Sequence, residues 1–293
     1  MLRSILWLTL AILTSCSAQV PGKPVLTRIT DPLLRETSGL ASSPGNPGFL
    51  WAINDSGADA RVHLMTAEGE ARGSITLKAI QNRDWEDMTS FRLEGRNYLL
   101  IADVGDNAAK RKSVKIHLIE EPDLPGRGKA IDAEVVPVRT INFRYEDGPR
   151  DCESVAVDTA SSSIFLLTKR DKPPVLYQLP LEPKGHPNEA VARRLGETSK
   201  IPLPKNSLPH PHGSQPTSMD FSPDGKWAAL LTYRGVFIIQ RSQGESWLET
   251  FQKKATPLGA HALPQAEALG FDASGRFIYV TSEGSNPELH KWP

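Results

Sequence analysis

Three glutamates open stretches of one design, Glu86-Asp87-Met88, Glu153-Ser154-Val155 and Glu267-Ala268-Leu269, and Ser38-Gly39-Leu40 repeats it with a hydroxyl in place of the acid. Each leads through a turn into an apolar stretch that closes on polar or charged residues: Phe49 to Asp55, Tyr98 to Asp103, Ile164 to Arg170, and Phe277 to Ser282 followed by Glu283. In an antiparallel hairpin the start of one strand lies beside the end of the next. Ser38, Glu86, Glu153 and Glu267 are therefore expected at one end of the fold, ringed by Asn54, Asp55, Asp103, Asp106, Lys169, Arg170, Tyr233, Arg234 and Glu283. Converging carboxylates repel one another unless a cation sits among them. Hard oxygen ligands of this kind suit calcium, which makes Glu86, Glu153 and Glu267 the candidate metal ligands. Ser38, Asn54, Asp55, Asp103, Asp106, Tyr233 and Glu283 form the candidate ligand-binding rim. The competing reading needs no metal: each acid hydrogen-bonds the backbone of a neighbouring strand and pairs with Lys169, Arg170 or Arg234.

The same residues allow a second chemistry, phosphoester hydrolysis, with Glu86 or Glu153 activating water while Lys169, Arg170, Arg234 and either Arg83 or Arg111 clamp the phosphate. Other chemistries lack their residues. Ser38 sits in Thr37-Ser38-Gly39, not in a Gly-x-Ser-x-Gly elbow. His210 and His212 alternate with Pro209 and Pro211 without a companion ligand nearby, and Cys152 reads as a small buried hydrophobe. No phosphate loop, dinucleotide fingerprint or Cys-x-x-Cys pair is present. Asn54-Asp55-Ser56-Gly57 and Gly105-Asp106-Asn107 have turn composition, which serves the backbone first.

The elements that position these residues form an internal repeat. A fifth copy runs from Ser218-Met219-Asp220 through Asp224-Gly225 to Trp227–Tyr233, and its Asp-Gly turn is matched by Ser274-Gly275 in the last copy. Aligned on Leu40, Met88, Val155, Met219 and Leu269, the copies recur every roughly 48 to 67 residues, the size of a four-stranded propeller blade with insertions. Further strand candidates are Arg61–Met65, Ser74–Leu77, Lys115–Ile119, Val135–Phe143, Val175–Leu179, Val236–Gln240 and Glu288–Trp292. The last copy is one strand short, and Pro24–Ile29 would supply it. The expected fold is all-β: a five-bladed β-propeller closed by pairing the N-terminal strand with the last blade. Glu120–Asp132 and Lys200–Pro216, rich in Pro, read as loops.

Composition agrees. The 293 residues are 39% hydrophobic and 23% charged, with a formal net charge of zero, which disfavours a nucleic-acid partner. The 22 Gly and 24 Pro suit many short strands joined by turns. At the N-terminus Met1-Leu2-Arg3 precedes an apolar run, Ile5 to Thr14, that is too short to span a membrane comfortably and reads as a secretory signal. Leu13-Thr14-Ser15-Cys16 has the form of a lipobox, giving a signal over residues 1–16, lipidation at Cys16 and one domain over 17–293; cleavage after Ala18 is the alternative. Either way Cys152 has no partner for an internal disulfide. Ser17 is not the Asp that retains some lipoproteins at the inner membrane, which fits the outer membrane in an organism that sorts by that residue; the expected place is the cell envelope, lipid-anchored at the outer membrane or periplasmic face, or otherwise secreted.

The openings Arg35-Glu36-Thr37-Ser38-Gly39-Leu40 and Asp151-Cys152-Glu153-Ser154-Val155, and above all Pro264 to Gly275 followed by Thr281-Ser282-Glu283, resemble the SdiA-regulated lipoprotein family of exported five-bladed propellers. More loosely they are similar to phytase-like and esterase-like propellers. The resemblance implies a central calcium ion and a place in the cell envelope. Asp84-Trp85-Glu86-Asp87, Asp103-Val104-Gly105-Asp106-Asn107 and Asn54-Asp55-Ser56-Gly57 depart from that pattern. Three roles follow as expectations: a lipid-anchored module binding a small molecule, glycan or envelope protein; a calcium-dependent phosphoester hydrolase; or an interaction scaffold without metal.

Overall fold

The computed structural model describes residues 22–126, 128–184 and 190–293. Cys16 and the 1–16 segment, on which lipidation and export rest, lie outside the described residues. The described chain is all-β apart from one short helix. In chain order its strands are β1 Val25–Arg28, β2 Thr37–Ser42, β3 Phe49–Asn54, β4 Arg61–Thr66, β5 Ala71–Leu77, β6 Trp85–Leu93, β7 Arg96–Asp103, β8 Val114–Glu120, β9 Ile131–Val135, β10 Arg139–Tyr145 and β11 Cys152–Asp158. They continue with β12 Ser163–Thr168, β13 Val175–Pro180, β14 Ala190–Glu197, β15 Pro216–Phe221, β16 Trp227–Thr232, β17 Gly235–Gln240, β18 Thr256–Ala260, β19 Ala266–Phe271, β20 Ile278–Ser282 and β21 Glu288–Trp292. The helix, α1 Trp247–Gln252, lies between β17 and β18 and is opened by a Ser246/Glu249 capping box.

The apolar stretches seen in the sequence are the second strands of successive hairpins, and they are continuous because both of their faces are buried. On β3, Trp51 and Ile53 pack to one side while Leu50 and Ala52 pack to the other. On β7 the split is Leu99 and Ile101 against Leu100 and Ala102, and on β12 it is Ile164 and Leu166 against Phe165 and Leu167. On β16 it is Ala228 and Leu230 against Ala229 and Leu231. Period-two alternation thus feeds two different apolar layers from one strand. The layers follow one another from sheet to sheet and return to the start, since the last, around Leu40, Leu50, Ala268 and Tyr279, joins β2 and β3 to β19 and β20.

Hydrogen bonding gives the orders β2-β3-β4-β5-β9, β15-β16-β17-β18 and β19-β20-β21-β1, and an eight-stranded sheet running β6-β7-β8-β10-β14-β13-β12-β11. The first strands pack in a cycle: β2 against β6, β6 against β11, β11 against β15, β15 against β19, and β19 against β2. The ends of the chain close it, with β1 antiparallel to β21 in a register that sets Val25 opposite Lys291 and Arg28 opposite Glu288. The expected donation of a strand from Pro24–Ile29 is thus observed as a pairing. The expected hairpin glycines, Gly225 and Gly275, hold φ of 67° and 70°.

One expected strand is wrong. Val135–Phe143 is two elements, separated at Pro137, which cannot donate to a ladder. Residues 131–135 leave their own hairpin as β9 and lie parallel to β5, pairing Gly73 with Ile131 and Leu77 with Val135. β10 pairs with β8 on one side and, in parallel over Phe143–Tyr145, with β14 on the other. β14, β18 and α1 carry little signal in the sequence, since their outer positions are only partly buried and show no sustained alternation. Lys200–Pro216 is a loop as expected, ending where Pro216 begins β15.

Candidate cation-binding site

Each first strand carries an irregularity at the same place. Pairing slips between Thr37 and Gly39, Trp85 and Asp87, Cys152 and Ser154, Pro216 and Ser218, and Ala266 and Ala268. The residues left over are Ser38, Glu86, Glu153, Thr217 and Glu267. A bulge inserts one residue and re-aims its side chain, so five bulges at five equivalent positions turn one hydroxyl or carboxyl each out of the regular pleat. The two hydroxyls behave alike: Ser38 Oγ donates to the Trp85 carbonyl at 2.7 Å, and Thr217 Oγ1 donates to the Ala266 carbonyl at 2.7 Å. Each ties its strand to the residue before the next bulge, and neither is free for a ligand.

The three glutamates have different surroundings. Glu153 pairs with buried Lys169, leaving its Oε2 buried and without a partner. Lys169 also lies 3.9 Å from Glu267 and 5.1 Å from the centre of the Tyr233 ring. Burial works against its charge, but Glu153 and Glu267 outweigh that and hold its pKa above the ordinary lysine value. Glu267 accepts a hydrogen bond from the Tyr233 hydroxyl at 2.7 Å. Glu86 is only 5% exposed and accepts no hydrogen bond among the described residues. Burial first, then the charges of Glu153, Asp55 and Asp84, push its pKa well above the usual carboxylate range.

Glu86, Asp55 and Asp84 offer carboxylate oxygens within 4.8 Å of one another. At an effective dielectric of about 20, each ionised pair at that separation repels by about 3 kcal/mol. Burial and the neighbouring Asp84 raise Asp55 to about 6, and burial raises Asp84 despite the opposing charge of Arg111. Local structure assembles the triple. Asn82 donates to the main-chain carbonyls of Asn54 at 3.0 Å and Asp55 at 2.7 Å, drawing the loop before β6 onto the end of β3 and carrying Asp84 to Asp55. The Gly105 N–H donates to the Asp84 carbonyl at 3.2 Å. A Cβ on Gly105 would stand 2.0 Å from Glu86 Oε1 and 2.6 Å from Asp84 Oδ2, so any larger residue there would displace both carboxylates.

Most of the cations nearby are committed. Arg170 pairs with buried Asp151 and Asn107. Arg111 binds Asp103 at 2.6 Å and the Gly105 carbonyl at 2.6 Å, while its own N–H donates to Asp106. Arg234 donates to the carbonyls of Tyr233 and Leu263, at 2.9 and 3.0 Å, and meets none of the acids. Arg83 is exposed and has no partner among the described residues.

Of the predicted rim, Asn54 braces the loop before β2, accepting from the N–H groups of Arg35 and Glu36 and donating to the Leu33 carbonyl. Asp103 and Asp106 hold Arg111. Glu283 accepts from Gln265, and burial together with Glu267 lifts its pKa to about 8. His210 packs against Tyr233 with ring centres 4.8 Å apart and planes tilted by 34°, bringing the Lys200–Pro216 loop to this end of the molecule. Of the three predicted metal ligands, Glu86 alone belongs to the close carboxylate triple; Glu153 and Glu267 are engaged with Lys169 and Tyr233.

Asp84, Asn82, Gly105 and Thr217 were not among the predicted site residues. Thr217 was findable, two residues before Met219 as Ser38 is before Leu40. Asp84 had no such signal, because it lies in a loop outside the repeat. No family model matches the sequence, and no curated protein matches it. Among solved structures the chain is similar to Kuenenia stuttgartiensis hydrazine synthase, with a TM-score of 0.43 and 10% identity over 84% of this chain and 80% of that one.

Proposed function

We propose that the protein is an exported, lipid-anchored five-bladed β-propeller of the cell envelope that binds a divalent cation, calcium, at its acidic end and uses that end as a binding module for a small molecule, glycan or envelope protein. The blade reading is supported by five first strands in a closed cycle and by the β1–β21 pairing. Lipidation at Cys16 and membership of the SdiA-regulated lipoprotein family rest on the sequence motifs alone.

The observation that carries the cation is the Asp55, Asp84 and Glu86 triple, with Glu86 buried and lacking any donor. An ionised buried carboxylate without a partner is costly, and a hard cation would reverse both that cost and the repulsion among the three. The donor set is all oxygen, as calcium prefers. The phosphoester reading has less support, because Lys169, Arg170 and Arg111 are paired with acids and Arg234 with carbonyls, leaving no convergent set of free cations among the described residues. A scaffold without metal is favoured only by the Glu153–Lys169 and Glu267–Tyr233 pairs, which neutralise part of the ring.

The test is metal content and thermal unfolding of the purified protein with calcium and with chelator. Stoichiometric calcium is expected, and at a hundred times Kd it adds about 2.7 kcal/mol, roughly 5 to 10 °C in Tm. Both effects should vanish in Glu86→Gln and Asp84→Asn. No bound metal and a Tm indifferent to chelator would overturn the cation reading.

A further inference from the structure

Where the first strands end, opposite the carboxylates, all five contribute to a concavity of about 420 Å³. Ser42 comes from β2, Arg92 from β6, the Asp158–Ala160 turn from β11, Asp220 from β15, and Ala273 from the turn after β19. That volume suits a small ligand. One wall is rigid: Trp247, delivered by α1, stacks on Phe221 with ring centres 3.6 Å apart and planes 6° apart, and Arg241 lies 4.5 Å over the Trp247 ring.

The charged groups around this concavity are not all paired with one another. Asp158 accepts from the Trp247 indole at 3.1 Å and the Ala160 N–H at 3.1 Å, with Arg241 at 3.5 Å. Asp224 pairs with Lys226 at 3.0 Å. Asp220 is held by the Thr89 hydroxyl at 2.8 Å and the N–H groups of Phe221 and Phe271 at 2.9 Å, and burial lifts its pKa to about 7. Arg92 is exposed and has no carboxylate, carbonyl or ring partner among the described residues. Two hydroxyls of the lining, on Ser42 and Thr159, likewise have no hydrogen-bond partner among the described residues. The unspent groups are thus one guanidinium and two hydroxyls. A guanidinium matches a carboxylate bidentately, and free hydroxyls match ligand hydroxyls.

We propose that this concavity binds a small hydroxylated carboxylate of the sugar-acid class, with Arg92 on the carboxylate and Ser42 and Thr159 on hydroxyls. The site is independent of the cation reading, since it shares no residue with Asp55, Asp84 or Glu86.

Titration calorimetry of the purified protein with D-glucuronate, D-galacturonate and D-gluconate, and with D-glucose as a neutral control, tests it. At least one acid should bind, with glucose about tenfold weaker or worse. Arg92→Gln should lose about tenfold or more, the loss of a charge-assisted pair. Ala273→Trp, which fills the space, should abolish binding at an unchanged Tm, and Glu86→Gln should bind as the parent does. No binding by any of the three acids overturns the proposal, as does glucose binding equally well, full affinity in Arg92→Gln, or loss of binding in Glu86→Gln.

Discussion

Glu86 and Asp87 are neighbours in sequence and both are buried, yet they belong to different worlds. Asp87 takes four donors: the N–H groups of Val155 at 2.7 Å, Met88 at 2.9 Å and Met219 at 3.3 Å, and the Ser218 hydroxyl at 2.9 Å. It thereby joins β6 to β11 and β15 across the centre of the fold. Asp220 does the same on a smaller scale, tying β15 to β6 through Thr89 and to β19 through Phe271. Glu86, one residue earlier and turned out by the bulge, has no donor. A carboxylate whose lone pairs are filled by backbone N–H groups is part of the framework. A buried carboxylate with none is driven toward its neutral form unless a cation joins it. Burial raises the pKa of both, so the pKa direction alone does not distinguish them.

That contrast can be broken experimentally. The largest effect is expected for Asp87→Ala, which orphans three N–H groups and a hydroxyl and should cost about 3–5 kcal/mol in denaturant unfolding; a loss under about 1 kcal/mol would remove Asp87 from the framework. Gly105→Ala should come next. Its Cβ collides with Glu86 and Asp84, so about 1–3 kcal/mol of stability and the calcium-dependent rise in Tm should go together, and retention of that rise would place the cation elsewhere.

Glu86→Gln should show the opposite sign from Asp87→Ala. In chelator it is expected to be as stable as the parent or more so, because a buried carboxylate that repels its neighbours has been neutralised. A Glu86→Gln protein destabilised in chelator as severely as Asp87→Ala would erase the distinction.

The pH dependence follows from the same acids. Asp55, Asp220 and Glu283 have folded pKa values raised to about 6, 7 and 8. Between the ordinary carboxylate range, about 4, and those values the folded protein binds more protons than the unfolded chain. These acids should therefore make stability without calcium fall as pH rises from about 4 to 8, less steeply below about 6.5, where buried His117 and His261, lowered to about 4, act with the opposite sign, and with a shallower slope at the alkaline end in Glu283→Gln. A curve rising over that range would contradict the burial assigned to these groups. The smallest effects are expected for Ser38→Ala and Thr217→Ala, each about 0.5–1.5 kcal/mol for one buried hydrogen bond, with calcium binding unchanged.

The sequence by itself determined the strands that are buried on both faces, because their apolar stretches are too short for a buried helix and are bounded by turn residues. It determined the five equivalent openings and the end of the fold where Glu86, Glu153, Glu267, Asp55 and Glu283 stand, because hairpin register converts position in a repeat into position in space. It also gave the donation of the N-terminal strand to the last hairpin, from the single strand the last copy lacked. Only the tertiary structure decided which acids keep company. Lys169 goes to Glu153 and Tyr233 to Glu267, while Asp84, outside the repeat, is drawn by Asn82 to Asp55 and Glu86. Likewise β9 leaves its own hairpin for β5, a parallel pairing with no local signature. The physical reason is the same in each case: local spacing fixes which end and which face a side chain occupies, but the choice among partners within a few ångströms depends on bulges and loop contacts made between segments distant in the chain.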